Sequence, residues 1–380
     1  MKNKTLKTII LLCIILIVGY ILYFFYQKQQ SRCGKEATII EGLDDNANAV
    51  EKWLNNSKNS NDDKVKEAVA IAIKENKYIM DTNNDKDPAA TGDKDMALKH
   101  FCIKGAANAG YSGGYVSTEM INYIISTGCR FLHFQVFSDN VNPVIGYTSD
   151  ISNPTSTSTN TIDIDASNVI QTAIATGTTT GVPNYKDPLF IYLDVVAPKD
   201  KKQEIYGKLK NIISKIDNTK KITKKINPNT SMFILNGKAI FIVNQEPEIS
   251  ALGGYANLTV GGNIIEHAYN EMEPTMYKAK PPKMVGKNKT NKTTFDVLVP
   301  QNNNSSQSNP NIFDSIGRYG VNVSLMQYYK EDHYLLNNEL MFKHYNTGII
   351  TMASAIGYAK IYGLEKKDAI KGPVFPKMMA

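Results

Sequence analysis

The sequence predicts an α/β domain of parallel strands, arranged as an eight-fold β/α barrel and preceded by one transmembrane helix. Three observations carry this expectation. From about residue 96 onward, short apolar strand patterns alternate with amphipathic helix patterns. The chain has 380 residues, enough for a barrel of about 250 residues. An uncharged apolar run fills residues 9–26, long enough for a bilayer core of about 30 Å. No glycine-rich phosphate loop follows a strand, so a dinucleotide-binding fold is not expected.

The elements follow in order. The apolar run ends in Tyr23, Phe24, Phe25 and Tyr26, as interfacial aromatic belts do. Lys2, Lys4 and Lys7 precede it, and Lys28 and Arg32 follow, which favours a cytoplasmic N-terminus. A cleaved signal peptide would be shorter and would end in small residues, so residues 1–30 read as an uncleaved anchor. Residues 31–95 read as a polar stalk with a helix near 64–77. The run Asp81-Thr82-Asn83-Asn84-Asp85 starts like a calcium loop. Lys86 replaces the required glycine and no glutamate closes it, so it reads as a solvated acidic loop.

Within the barrel, residues 117–127 read as a helix capped by Ser117 or Thr118. Strands are expected at 131–137 and 143–147, a helix at 167–176, and an apolar strand at 188–196 followed by a helix at 203–216. Further strands are expected at 232–235, 239–243, 321–328 and 348–353. Segments 152–161 and 278–308, rich in Ser, Thr, Asn, Lys and Pro, read as exposed loops or insertions. The barrel domain is placed at 96–362 and a C-terminal tail at 363–380.

Composition is that of a globular chain, 42% hydrophobic and 21% charged. The formal net charge is +7, and part of the excess is a run of Lys220, Lys221, Lys224 and Lys225, read as a solvated loop. No zinc spacing, RNP box or basic stripe with interleaved aromatics is present, so no nucleic-acid partner is expected. Four cysteines make no disulfide framework, and Cys129, between a helix and a strand, reads as a buried thiol.

A resemblance adds to this. The segment His100-Phe101-Cys102-Ile103-Lys104-Gly105-Ala106-Ala107-Asn108 resembles the opening of the X region of phosphatidylinositol-specific phospholipase C. Ser117-Thr118-Glu119-Met120 is similar to that family's helix start, and Gly128-Cys129-Arg130-Phe131-Leu132-His133-Phe134-Gln135 to its G-C-R-x-V-E-L-D strand. Pro143 to Thr148 falls on the P-V-V-x-H-G-H-T motif, Pro188 to Asp194 on P-V-I-L-S-L-E-N-H, and Leu235 to Ile240 on L-K-G-K-I-L. With weaker matches near Met326 and Phe342, the resemblance covers most of residues 96–360. The chain also resembles the phospholipase-C-like proteins of large DNA viruses.

The resemblance implies a TIM-type barrel of the phospholipase-C-like phosphodiesterase kind. It also implies that the two catalytic histidine positions fall on Ala107 and Tyr147, neither of which replaces imidazole near neutral pH. The family calcium ligands fall on Asn108, His133, Gln135 and Asp194, a weak remnant of an oxygen-rich shell. Calcium is therefore expected only if that site still works, and otherwise no cofactor. Lys104, Arg130 and Lys238 are expected near the barrel mouth as phosphate-binding cations. The expected function is a membrane-anchored, catalytically impaired phospholipase-C-like protein. Its role would be structural or lipid- and phosphate-binding, with phosphoinositide headgroups or virion proteins as partners and a virion membrane or inner virion as its place. The alternative is an active phosphoric diester hydrolase with rearranged catalytic residues.

Overall fold

The structure, a computed structural model, describes residues 96–365 apart from 139–141, 151–154, 157–163, 181, 183, 270–281, 284, 286–287, 301–306 and 331. The anchor, the stalk and the tail beyond 365 lie outside the described residues. Among the described residues no helix is long and apolar enough to cross a membrane.

Along the chain, β1 (Phe101–Ile103) and β2 (Gly105–Ala106) lead to α1 (Thr118–Ser126), β3 (Phe131–Ser138), β4 (Pro143–Gly146) and β5 (Ile164–Asp165). Then come α2 (Ala166–Gly177), β6 (Leu189–Val195), α3 (Lys199–Ser214), β7 (Ala239–Asn244), β8 (Leu258–Val260) and β9 (Ile265–Ala268). The last part holds β10 (Asp296–Val299), α4 (Ile312–Ser315), β11 (Val323–Met326), α5 (His333–His344), β12 (Ile349–Thr351) and α6 (Met352–Glu365).

Eight of these strands lie side by side in the order β8-β7-β6-β3-β2-β11-β10-β9, all in parallel. The two outer strands approach through a single parallel bridge, Val260 to Ile264, so the barrel is nearly closed. Gly261, at φ 84°, lets the chain sidestep there and resume in the same direction.

Alternation along each strand sorts the side chains into two layers. Phe131, Phe190, Tyr192, Ile240, Ile242, Val297, Val323 and Leu325 fill the barrel interior. Leu132, Phe134, Ile191, Leu193, Phe241 and Val243 face the helices, where Ile121, Ile170, Leu209 and Ile356 meet them. Each large side chain so buried contributes about 1.5–3 kcal/mol. The antiparallel pair β1–β12 places Phe101, Ile103 and Ile349 into the interior cluster and plugs the end where the parallel strands begin. The other end, where they finish, forms the mouth.

Helix α1 is capped by Ser117, whose Oγ accepts the Met120 N–H at 3.1 Å. Other expectations are corrected. Residues 232–235 form a 3₁₀ turn, Phe233–Leu235, because Met232 and Leu235 are buried three apart while Phe233 and Ile234 are exposed, a helical rather than a strand spacing. The strand at 143–147 is not a barrel stave; β4 folds back antiparallel on β3. The 348–353 strand shrinks to β12, off the barrel, and α6 starts at Met352. The supposed insertion 278–308 contains β10 and the buried Thr290, Lys292 and Phe295. Strands β2, β8, β9 and β10 have two to four residues, too few to show alternation among polar neighbours.

Candidate functional site

The three expected phosphate-binding cations stand at the wrong end of the barrel. Lys104, Arg130 and Lys238 each immediately precede a parallel strand, β2, β3 and β7, so they lie at the plugged end. Each is also committed. Lys104 Nζ donates to the Thr127 carbonyl at 2.5 Å and pairs with Glu339 Oε2 at 2.7 Å. The buried Arg130 guanidinium donates to the carbonyls of Gly177 (2.9 Å), Pro188 (3.4 Å) and Asp187. Lys238 donates to the Thr219 carbonyl. These cations tie strand starts to neighbouring loops and do not stand at the mouth.

The mouth holds the other expected residues. Asn108 follows β2 in the left-handed region, φ 47°, a conformation asparagine tolerates. This turns its backbone N–H onto His133 Nδ1 at 3.2 Å. An imidazole nitrogen that accepts must be unprotonated, so the ring proton sits on Nε2, which is 3.7 Å from Asp194 Oδ2. Asp194 Oδ1 accepts from Asn244 Nδ2 at 2.7 Å. The buried Tyr192 hydroxyl lies 2.5 Å from Asn244 Oδ1 and 2.8 Å from Glu266 Oε2.

The phenol hydroxyl is a donor to both acceptors, Asn244 Oδ1 and Glu266 Oε2. The Glu266 carboxyl is pushed above its ordinary range, first by the protein crowded around it and then by the charge of Asp194. The phenol of Tyr192 is also pushed up, by burial and by the same carboxylates. Asn108 Oδ1 is buried without a hydrogen-bond partner.

Gln135 serves position rather than ligation. Its Nε2 donates to the Thr148 carbonyl at 3.2 Å and its Oε1 accepts the Thr148 N–H at 2.7 Å. A carboxylate could make only the second bond. This clasp fixes the segment after β4, where Tyr147 stacks on Tyr111 at 4.0 Å between centroids. Tyr329 meets both edge-on, at 4.9 and 5.7 Å, and is hydrogen-bonded to Tyr147 and Asn108. Ser156, from the segment read as a loop, accepts the Tyr147 N–H at 3.2 Å. Ala107 packs inside the barrel with the interior cluster.

The residues present do not fit calcium. That ion takes six to eight oxygen ligands, several of them carboxylate. Here Gln135 is spent on Thr148, His133 presents no oxygen, and Asp194 is engaged by Asn244. Among the described residues no three His, Cys, Asp or Glu side chains converge as a metal-binding group.

The remaining histidines offer no replacement base. His100 precedes β1 at the plugged end, and His267 is paired with Asp296 at 3.2 Å on the outer face of β9. His344 is buried among Tyr345, Tyr358 and Tyr362. His333 opens α5, exposed, with its ring tilted against Tyr334. Cys129 is buried as expected, its thiol pushed up to about 12 by burial.

Sequence reasoning missed Tyr111, Asn244, Glu266 and Tyr329. Asn244 was within reach, since it continues the inward parity of Ile240 and Ile242. Glu266 lies on a strand too short to see.

No family model and no curated protein matches the sequence. Solved structures do. PLC21 of S. officinalis superposes with a TM-score of 0.50 at 11% identity, over 73% of this chain and 41% of that one. A calcium-dependent phosphoinositol-specific phospholipase C from Pseudomonas sp. gives 0.41 at 10% identity, over 70% of this chain and 97% of that one. A variant of the phosphatidylinositol-specific phospholipase C from Staphylococcus aureus gives 0.42 at 12% identity, over 70% and 93%. The chain thus spans less than half the length of the S. officinalis protein. At such identities the likeness concerns architecture alone: the described residues form a nearly closed β/α barrel similar to that of the S. officinalis protein.

Proposed function

We propose that this chain is a phospholipase-C-like barrel that has lost phosphodiester cleavage and serves as a membrane-anchored binding or structural protein. The observation that carries this is His133, whose Nδ1 accepts the Asn108 N–H while its Nε2 faces Asp194 at 3.7 Å. With Ala107 and Tyr147 at the positions that resemble the family's histidines, His133 is the imidazole inside the mouth, and it is not left to take a proton from a substrate hydroxyl. Each missing acid–base group costs about 10²- to 10⁴-fold. Asp194, Glu266 and the bare Asn108 Oδ1 present acceptors rather than cations. This suits a neutral, hydroxyl-rich ligand better than a phosphate. A virion role rests on the sequence resemblance alone.

One observation favours a second reading. Asp194 and Glu266, joined through Asn244 and Tyr192, with the Glu266 carboxyl pushed up by burial and the nearby Asp194, form the kind of carboxyl pair that supplies base and acid. The test is the full-length protein in detergent against phosphatidylinositol, with and without calcium. No turnover above buffer is expected. Turnover abolished by Asp194→Asn and by Glu266→Gln would overturn the impaired-enzyme reading and establish the second.

A further inference from the structure

The plugged end of the barrel carries an amphipathic face that the mouth chemistry does not use. On the 3₁₀ turn before β7, Phe233 is 46% and Ile234 48% exposed, two adjacent large apolar side chains open to solvent. Nothing in the core requires this, since Met232 and Leu235 on either side already fill the interior cluster. The same end of the barrel carries a basic segment. Lys215, Lys220, Lys224 and Lys225 are exposed, and Asp217 is the sole acidic residue between 215 and 238.

Backbone pairing holds this segment at the same end. The Ala239 N–H donates to the Lys220 carbonyl, and Asn257, just before β8, donates from Nδ2 to the carbonyls of Ile222 and Lys224. The first described residue is there too. The Met232 N–H donates to the Met96 carbonyl at 2.9 Å, and Ala97 bridges to Ser231. The chain from residues 1–95, with the apolar run at 9–26, therefore enters the barrel one residue from the exposed Phe233.

We propose that this end, with the exposed Phe233 and Ile234 and the exposed lysines of segment 215–225, rests on an anionic lipid surface, with the mouth turned away from the bilayer. The occupant follows from charge complementarity and from the point where the tethered chain arrives. An apolar pair inserted at headgroup level and basic side chains at the same end are the two terms of interfacial binding. The geometry rests on the reading of residues 9–26 as an anchor. It also bears on function: a mouth facing away from its own membrane does not meet lipid headgroups of that leaflet.

The test uses the full chain reconstituted in phosphatidylcholine vesicles containing phosphatidylserine, with brominated acyl chains as quenchers. The background is Trp53→Phe, which removes the one natural tryptophan. One reporter is Phe233→Trp, and the other is Tyr115→Trp in the exposed loop after β2 at the mouth end. Quenching of the first and not the second is expected. Lys224→Glu with Lys225→Glu should shift the docked balance about 25-fold or more, at about fivefold per lysine lost. The quenching should then fall while the protein still floats with the vesicles. Quenching of the mouth reporter alone, or of neither in floating protein, overturns the proposal while the anchor stands. So does a change of Phe233→Trp emission that follows protein density rather than bromination, which assigns the face to a second copy. Failure to float without detergent instead overturns the anchor reading.

Discussion

Replacing Asp187 with asparagine should make the barrel more stable at alkaline pH and remove a pH dependence. Asp187 is buried just before β6, and its Oδ2 has no hydrogen-bond partner. Burial raises its carboxyl from 3.8 to about 7, against the pull of the Arg130 charge. The sign follows from proton binding. Below about pH 4 both folded and unfolded states hold the proton, and the group contributes no penalty. As pH rises toward 7 the unfolded state releases it first, so stability falls, and above 7 the folded state carries a buried charge. A difference of about three pKa units corresponds to about 4 kcal/mol. Asparagine avoids that cost but deprives the buried Arg130 of an opposite charge, so the net gain at pH 8 should be about 2–4 kcal/mol. Urea unfolding of the full chain in detergent, followed by far-ultraviolet circular dichroism, measures this at pH 5 and pH 8. The single tryptophan lies outside the described residues and is no probe of the barrel. An equal pH 5-to-8 change in both proteins, or destabilisation by asparagine at both, would refute the reasoning.

Three further outcomes follow from the same structure. Asp296 accepts from His267, Thr294 and the buried Lys292, so Asp296→Ala should cost about 3–5 kcal/mol in urea unfolding by stranding a buried ammonium. The buried His344 is lowered to about 4, so its own contribution should fall by up to about 3 kcal/mol between pH 6.5 and 4 as the unfolded state takes up the proton, opposite in sign to that of Asp187. His344→Phe should abolish that loss, which acid titration at fixed urea would show. Ala107→His should destabilise by about 1–3 kcal/mol through overpacking of the barrel interior, without creating phosphatidylinositol turnover, as paired unfolding and turnover assays would show.

The limits of the sequence show in particular residues. Strands β3, β6 and β7 have six to eight residues and were legible because both faces are apolar over enough positions to outweigh chance. The short staves were not. Their stability comes from neighbours on both sides and leaves no local pattern. At the site, the identities were legible and the roles were not. Gln135 stood where a ligand was expected, yet it is a two-point clasp on Thr148 that holds Tyr147 in place.

By itself the sequence determined the strand–helix alternation of a β/α barrel and the helix capped by Ser117. These depend on side-chain period and capping chemistry, both local properties. Only the tertiary structure decided which end of the barrel each charge occupies. Lys104, Arg130 and Lys238 precede their strands while Asp194 and Asn244 end theirs, and parallel packing turns that difference into opposite ends of the molecule. It also brought Glu266 to Tyr192, 74 residues away, because hydrogen bonds across a barrel depend on register rather than on distance along the chain.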